Sequence, residues 1–219
     1  MGVRLSIRFI DVSFAYKEKP VFSHLNLEIP ESNWVAITGN CGTGKSTLAK
    51  LIAGILEPDS GRIEFPKSSN DEIPDFGYLF QNPEDQFVHF FIEREIAFNL
   101  ENQNYPIEMM TLKVRNSLGE IGLSDRRKDS PNRLSGGEKQ RLALMGTMIS
   151  EPNYLILDEP SSYLDILAQN DLIKRITALH ASGVGIFWIT QNEQEKALTK
   201  FCIEIVDGNA KCFPMKGSC

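Results

Sequence analysis

The sequence of 219 residues predicts an α/β fold built around a parallel β-sheet that is buried on both faces. Two observations indicate this class. Apolar runs of strand length recur at 34–38, 76–80, 154–157 and 185–189, as expected for strands covered on both sides. Helical periodicity follows the first run, at Leu48, Leu51, Ile52 and Ile55, and precedes the last, at Leu167, Leu172, Ile176 and Leu179. With 42% hydrophobic residues, a chain of this length can form one well-buried domain.

The segments outside the parallel sheet show other patterns. Apolar residues partly alternate from Arg4 to Ile29, with KEKP between the two halves, which predicts antiparallel strands. Residues 82–150 have helical signals at 92–100 and 109–121 but no buried strand, which predicts a helical insertion. We therefore expect 1–81 and 151–219 to form the core. Near the C-terminus, a hairpin is predicted with Gly208 and Asn209 at its turn.

Composition argues against several functional classes. A net charge of -6 disfavours nonspecific nucleic-acid binding, which requires a positive field. No apolar run approaches the roughly 20 residues that span a bilayer. The N-terminal residues MGVRLSIRF lack the features of a secretory signal, so we expect a cytoplasmic protein. Four cysteines without metal-like spacing predict separate reduced thiols: Cys41, Cys202, Cys212 and Cys219.

The most specific motif lies directly after the first apolar run. GNCGTGKST satisfies G-x-x-x-x-G-K-[ST] between a predicted strand and a predicted helix. Glycines allow backbone N–H groups to surround a phosphate, Lys45 supplies a point charge, and the Ser46 hydroxyl can bind Mg²⁺. A glycine-rich turn without a ligand is the alternative. The motif, called the phosphate loop below, consists of Gly39, Asn40, Cys41, Gly42, Thr43, Gly44, Lys45, Ser46 and Thr47.

Two acidic residues follow a later apolar run. YLILDEP places Asp158 and Glu159 at the carboxyl end of a predicted buried strand, the end that faces ligands in open α/β sheets. One carboxylate there can hold Mg²⁺ while its neighbour faces an attacking water. Acidic residues often simply end strands, so this prediction depends on the phosphate loop.

A second candidate anion site lies in LSGGEKQR, residues 134–141. Ser135 and Glu138 fit a capping box, and an apolar helix face follows. Gly136 and Gly137 would leave the first N–H groups of the helix exposed. A capping box alone would carry no function.

Together, GNCGTGKST, LSGGEKQR and YLILDEP resemble the nucleotide-binding subunits of ABC ATPases over essentially the whole chain. The resemblance implies a P-loop fold with a RecA-like parallel core, an N-terminal antiparallel β subdomain and an inserted helical subdomain at 82–150. It also implies ATP and Mg²⁺ as cofactors. The resemblance further implies a head-to-tail dimer of two ATPase subunits. In that dimer, Ser135, Gly136 and Gly137 of one subunit close over the γ-phosphate held by the other subunit's Lys45 loop.

The same resemblance implies roles for individual side chains. Tyr16 would stack on adenine, and Gln81 would sense Mg²⁺ and the attacking water. Asp158 would bind the metal, Glu159 would be the general base, and Asp165 would lie in the loop that crosses the dimer interface. Strand packing is an equal alternative for Tyr16, and Gln81 could simply end a strand. Tyr163 stands where a small residue is usual in the family.

A narrower resemblance lies in YLFQNPEDQF at 78–87 and EREIAFNLEN at 93–102. These segments are similar to ATPase subunits of energy-coupling factor importers and of cobalt and nickel importers. The resemblance implies import of a vitamin or metal ion through separate membrane subunits, with this chain peripheral on the inner face of the membrane. The segment FVHFFI at 87–92 is a candidate contact with a membrane subunit or, equally, core of the insertion. We expect His89 to pack or to lie at an interface rather than bind metal.

Gln191 ends the apolar stretch IFWITQ where the family has a histidine that reaches the γ-phosphate. Glutamine can donate and accept hydrogen bonds but cannot become a cation near neutral pH. We therefore expect ordinary ATP binding and slower hydrolysis. Two alternatives remain at this point: a non-transport ABC ATPase, and a weakly hydrolysing regulatory subunit beside an active partner. The sequence specifies neither the transported compound nor whether the two subunits of the dimer are identical.

Overall fold

The computed structural model describes residues 6–30, 34–66, 74–162 and 164–215. The first residues of the predicted N-terminal strand pair, together with Tyr163 and Cys219, lie outside the described residues. The chain divides into two compact units. The first contains 1–76, 153–158 and 180–219, and the second contains 77–152 and 159–179. In the part of the chain that is described, no helix has both the length and the apolar character needed to span a bilayer.

The strands belong mainly to the first unit. They are β1 (Ser6–Tyr16), β2 (Lys19–Pro30), β3 (Trp34–Thr38), β4 (Ser60–Glu64), β5 (Phe76–Leu79), β6 (Tyr154–Asp158), β7 (Gly185–Ile189), β8 (Phe201–Val206) and β9 (Asn209–Pro214). The strand β5 begins at the last residue of the first segment of this unit and continues into the second unit. The predicted α/β class with an antiparallel N-terminal part is confirmed.

The N-terminal sheet has the order β2, β1, β4, and both of its pairings are antiparallel. Alternate residues of β1, such as Ile7 and Phe9, are buried, as expected for a sheet with one covered face. The strand pair predicted from this alternation is confirmed. The sequence did not indicate β4, because SGRIE contains a single apolar residue and has no buried position.

The main sheet of the first unit has the order β6, β7, β3, β8, β9, and its first four strands are parallel. Every residue of β3, β6 and β7 is buried, which explains their uninterrupted apolar sequences. The C-terminal hairpin is confirmed, but its predicted turn was wrong by one residue. Asp207 and Gly208 form the turn with φ of 47° and 75°, while Asn209 already pairs with Val206.

The helix α1 (Lys45–Ile52) follows β3 and ends earlier than its periodicity suggested. Gly54 has a φ of 68°, and the Ile55 N–H donates to the Lys50 carbonyl at 2.9 Å. This turn is typical of a glycine-terminated helix. Ile55 therefore lies beyond the helix and is 51% exposed. The short helix α6 (Glu193–Lys196) lies between β7 and β8.

The second unit is mainly helical and contains α2 (Ile92–Asn102), α3 (Ile107–Glu120), α4 (Gly136–Met148) and most of α5 (Ile166–Ala181). The last two residues of α5 belong to the first unit. The helices predicted at 92–100 and 109–121 are confirmed as α2 and α3. Buried side chains from α2, α3 and α4 form one apolar cluster. The periodic face predicted for α5 buries Leu172 and Ile176, whereas Leu167 is 81% exposed.

The apolar segment 87–92 divides between surface and core. Phe90 is 85% exposed, and Val88 and Phe91 are also exposed, while Ile92 is fully buried in the helical cluster. The His89 ring packs against Phe98 with ring centroids 5.3 Å apart, so the expected packing role is confirmed.

Candidate functional site

Two backbone carbonyls of the phosphate loop accept hydrogen bonds from the lysine of the same loop. Lys45 Nζ donates to the Gly39 and Asn40 carbonyls, both at 3.0 Å. The Thr43 hydroxyl donates to the same Asn40 oxygen at 3.0 Å. Lys45 is only 8% exposed, so its charge is held at the loop rather than in bulk solvent.

Two glycines of the loop are required by both backbone angle and space. Gly44 has a φ of 103°, and a Cβ atom there would lie 2.7 Å from Val21 Cγ1. Gly39 has a φ of 147°, and its Cβ would lie 2.7 Å from the Ile205 carbonyl oxygen. Gly42 differs, because a Cβ there would meet nothing within 4 Å. The loop is thus tightly held at its ends and open around its middle.

The first turn of α1 is suited to an anion. Gly44 is its N-cap residue and provides no side-chain hydrogen bond, and the first turn contains no acidic residue. The first N–H groups of a helix have no acceptors within the helix, and the helix dipole places partial positive charge there. An uncapped helix end beside Lys45 is therefore a fitting place for a nucleotide phosphate.

Gln191 contacts the phosphate loop. It follows β7, and its Nε2 donates to the Gly39 carbonyl at 3.3 Å, the same oxygen that accepts from Lys45. The neighbouring Thr190 N–H donates to the Ile37 carbonyl at 3.2 Å, which fixes the end of β7 beside β3. The structure thus brings together two predicted site residues that are far apart in sequence.

A buried carboxylate supports the Gln191 loop. Glu195 is 1% exposed and accepts a hydrogen bond from the Thr190 hydroxyl, which in turn accepts from the Asn192 N–H at 2.9 Å. Sequence reasoning missed Glu195, because the polar stretch NEQEK is typical of an exposed segment. The burial of Glu195 is what indicates that it positions the Gln191 loop, and this burial is not visible in the sequence.

The predicted Mg²⁺ ligands carry suitable donor atoms. Asp158 is the last residue of β6 and is 7% exposed, and Ser46 lies in the first turn of α1. Carboxylate and hydroxyl oxygens suit Mg²⁺, which commonly binds one or two carboxylates together with substrate phosphates and water. Among the described residues there is no group of three or more His, Cys, Asp or Glu that could hold a metal ion. A site shared with nucleotide phosphates fits this donor set.

In the second unit, Gln81 and Glu159 are joined directly. Gln81 Nε2 donates to Glu159 Oε2 at 3.1 Å. Glu159 has a φ of 45°, an uncommon conformation for a non-glycine residue that costs roughly 1–3 kcal/mol and is often found at functional sites. The Ser162 hydroxyl donates to the Glu159 carbonyl at 2.9 Å and lies 3.4 Å from Oε2. Sequence reasoning missed this contact of Ser162.

The predicted capping box at the start of α4 is confirmed. Ser135 donates to Glu138 Oε2 through its N–H at 2.8 Å and through its hydroxyl at 2.9 Å. These two hydrogen bonds, assisted by the nearby Arg126 guanidinium, lower the pKa of Glu138. Gly136 and Gly137 follow in the first turn, where neither would bring a Cβ closer than 3.7 Å to another atom. We call residues 135–138 the signature turn.

Tyr16 and Asp165 have local contacts of their own. Tyr16 ends β1, is 47% exposed, and packs edge-on against Phe14 with ring centroids 5.0 Å apart. Asp165 Oδ1 accepts from the Ala168 N–H at 2.8 Å at the start of α5, as a helix cap does. Within the described part of the first unit, Tyr16 forms no hydrogen bond with the phosphate loop.

The predicted site residues are divided between the two units. The first unit holds Tyr16, the phosphate loop, Asp158 and Gln191. The second holds Gln81, the signature turn, Glu159 and Asp165.

Comparisons with known proteins agree on the family of this architecture. A family model described as ABC transporter matches residues 22–162. The energy-coupling factor transporter ATP-binding protein EcfA1 of Halalkalibacterium halodurans is 37% identical over 193 residues, covering 84% of this chain and 69% of the relative. The protein of the same name from Streptococcus mutans is 36% identical over 212 residues, covering 92% and 76%.

A solved structure gives the same result for the fold. That structure is cbiO1 from Clostridium perfringens, described as part of the ABC transporter complex cbiONQ. It is similar to this chain with a TM-score of 0.77 and 26% identity, covering 95% of this chain and 87% of the other.

Proposed function

Because this chain belongs to the ABC transporter family, as an ATP-binding subunit of the energy-coupling factor type, we propose that it hydrolyses ATP to power import of a small molecule through separate membrane subunits. The observation that carries the proposal is the phosphate loop. There, glycines of positive φ, an uncapped helix and a buried lysine converge on one place. This combination suits the phosphates of a nucleotide.

Nucleotide binding is assigned to residues of the first unit. Backbone N–H groups of residues 39–47 receive the phosphates, and Lys45 exchanges its two loop carbonyls for phosphate oxygens. The exposed half of Tyr16 provides a face for adenine. Gln191 keeps the Gly39 carbonyl bound when Lys45 leaves it.

The proposed Mg²⁺ ligands are Ser46, Asp158 and Gln81. All three supply oxygen atoms, as this ion requires. When bound, Mg²⁺ supplies positive charge against the γ-phosphoryl group.

Glu159 is proposed as the general base that removes a proton from the attacking water. Its carboxylate accepts a hydrogen bond from Gln81, which orients it, and the Ser162 hydroxyl fixes the turn that carries it. A positioned carboxylate of this kind typically contributes about 10²- to 10⁴-fold to the rate.

The proposed partners are a second ABC ATPase subunit and a membrane-embedded coupling subunit. In the head-to-tail dimer, the signature turn and Asp165 of one subunit complete the site of the other. Exposed Val88, Phe90 and Phe91 are proposed to contact the coupling subunit at the inner face of the membrane. We propose no nucleic-acid partner, because the chain carries a net charge of -6.

Replacing Glu159 with Gln tests the proposed function. We expect steady-state ATP turnover to fall by at least about 100-fold, while ATP binding persists because the phosphate loop is untouched. Glu108→Gln, at an exposed position of α3, is the control and should leave both unchanged. Full turnover by the Glu159→Gln protein would refute the assignment of the base.

A second experiment tests whether Gln191 slows hydrolysis. Gln191→His should raise the single-turnover rate at saturating ATP, because an imidazole can carry charge near the γ-phosphate. Gln194→His, a neighbouring glutamine on α6, is the matched control. An unchanged rate would show that glutamine is a neutral substitute at this position.

A further inference from the structure

The signature turn carries a negative charge where the proposed function requires a phosphate. Glu138 lies in the first turn of α4, and Oε2 of its carboxylate accepts both hydrogen bonds from Ser135. An uncompensated carboxylate at this place would repel the γ-phosphate, because like charges brought together in a partly desolvated interface are strongly unfavourable.

Arg126 supplies the compensating charge. Its Nη1 donates to Glu138 Oε1 at 3.0 Å, and its Nη2 donates to the Arg133 carbonyl at 3.1 Å. Its Nε donates to Asp129 Oδ2 at 3.1 Å. One guanidinium therefore joins the loop before the helix to the first turn of the helix itself.

The two carboxylate oxygens of Glu138 are divided between two partners. Oε1 faces Arg126, and Oε2 faces Ser135, so the ion pair and the capping box do not compete. The side chains of Arg126 and Glu138 are 34% and 25% exposed, so water screens this pair less than it would a fully exposed one. The Glu138 N–H donates to Ser135 Oγ at 3.4 Å, whereas the Gly136 and Gly137 N–H groups, which have no acceptor within the helix, remain available to an anion.

We propose that Arg126 is a positioning residue of the signature turn, which neutralises Glu138 and holds it on Ser135 so that this turn can accept a nucleotide γ-phosphate. The ligand rests on the proposed function, in which that phosphate is held by the second ATPase subunit. The contacts of Arg126 are a property of this chain alone.

The net charge of three side chains predicts the order of the variants. Arg126, Asp129 and Glu138 together carry one negative charge in the native chain. Arg126→Met leaves two negative charges, and Glu138→Gln leaves none. The double variant Arg126→Met, Glu138→Gln returns to one, carried by Asp129.

The test uses the complex isolated through a tag on this chain, whether the second ATPase subunit is another copy or a different chain. The MgATP concentration at half-maximal turnover should rise about 10-fold in Arg126→Met, because the phosphate meets an uncompensated carboxylate. Arg127→Met is the matched control, because the partner of Arg127 lies outside the signature turn. Its Nε lies 3.8 Å from Glu93 Oε2, and its side chain is 58% exposed. Equal shifts in the two variants would contradict the proposal.

The double variant separates charge compensation from a purely structural role. If Arg126 acts through the charge of Glu138, adding Glu138→Gln to Arg126→Met returns the half-saturating MgATP to within about threefold of the native value. If Arg126 only fastens the loop through Asp129 and Arg133, the double variant stays as impaired as Arg126→Met, and the proposal is overturned.

Glu138→Gln alone keeps the proposal testable if Arg126→Met fails to fold. The amide oxygen of glutamine can still accept from Ser135, and the net negative charge of the three side chains is removed, so we expect a half-saturating MgATP below the native one. An unchanged or increased value would refute charge compensation. Failure of the proposed function gives a different result: the native complex would show no turnover that Glu159→Gln removes.

Discussion

The helices α1 and α4 present their N-termini in opposite ways. The first turn of α1 has a glycine N-cap, no side-chain cap and no acidic residue, and Lys45 is its first residue. The first turn of α4 has a serine N-cap, a complete capping box and an acidic residue, Glu138. Both are proposed to meet the same class of ligand, a nucleotide phosphate.

The difference shows two ways of preparing a helix end for an anion. At α1 the first N–H groups lack side-chain partners. Gly39 and Gly44 provide the positive φ angles of the loop before the helix, which other residues would adopt only with strain. At α4 the capping box stabilises the helix without a ligand, and Arg126 offsets the charge of the cap. Under the proposed function, the first arrangement favours binding of the phosphate by this chain alone, whereas the second favours a stable turn that meets the phosphate of the partner subunit.

The largest expected effect is a loss of ATP affinity at the N-terminus of α1. Lys45→Met should weaken ATP binding by on the order of 100-fold, because it removes the buried positive charge that is proposed to face the phosphates. Lys50→Met, in the last turn of the same helix, should change the affinity little. Titration calorimetry of the full chain with ATP measures both, and similar losses in the two variants would contradict the assigned role of Lys45.

The next effect concerns the backbone that replaces a side-chain cap at α1. Gly44→Ala should lower the free energy of unfolding by about 2–3 kcal/mol, since a positive φ and a steric clash coincide there. Gly42→Ala should lower it by about 1 kcal/mol, because only the φ of 79° is unfavourable and the space is open. Urea unfolding compares the two, and equal losses would show that the clash with Val21 is relieved easily.

The smallest expected effect is a pH-dependent change in stability at the N-terminus of α4. The folded protein lowers the pKa of Glu138 from its ordinary value of 4.5, so its stabilising contribution is complete above that value. That contribution is lost as the pH falls through the lowered pKa. Glu138→Gln should therefore cost up to about 1 kcal/mol at neutral pH and progressively less in acid.

Urea unfolding at pH 7 and at acidic pH measures this difference between the native chain and Glu138→Gln. Glu108→Gln, in the first turn of α3, provides the control. A cost of Glu138→Gln that stays constant into acid would show that the carboxylate charge does not contribute to the cap.

Patterns over short distances were predicted well from the sequence. The buried strands WVAIT and GIFWI have the predicted bounds, because burial on both faces requires uninterrupted apolar residues. The capping box was predictable because Ser135 and Glu138 are three residues apart. The hairpin turn was misplaced by one residue, since both Asp207-Gly208 and Gly208-Asn209 are plausible turn sequences.

Several side-chain contacts of the site were not predictable, even where the partners are only three or five residues apart. Glu195 is buried although its neighbours are polar, because the Thr190 hydroxyl satisfies its carboxylate. Ser162 and Arg126 belong to common exposed residue types, and only their partners distinguish them. No residue pattern in a single sequence encodes which of several arginines meets a given carboxylate.

The sequence by itself determined the phosphate loop, the order of the buried strands and of the longer helices, and the residues placed at the ends of those strands, because these depend on local conformational preference and periodic burial. The exposed strand β4 was not among them. The tertiary structure alone decided which groups contact one another. It joined Gln191 to the Gly39 carbonyl, Gln81 to Glu159, and Arg126 to Glu138. The first two pairs are 152 and 78 residues apart and the third is 12 residues apart, and in each the packing of strands and helices sets the distance between the side chains.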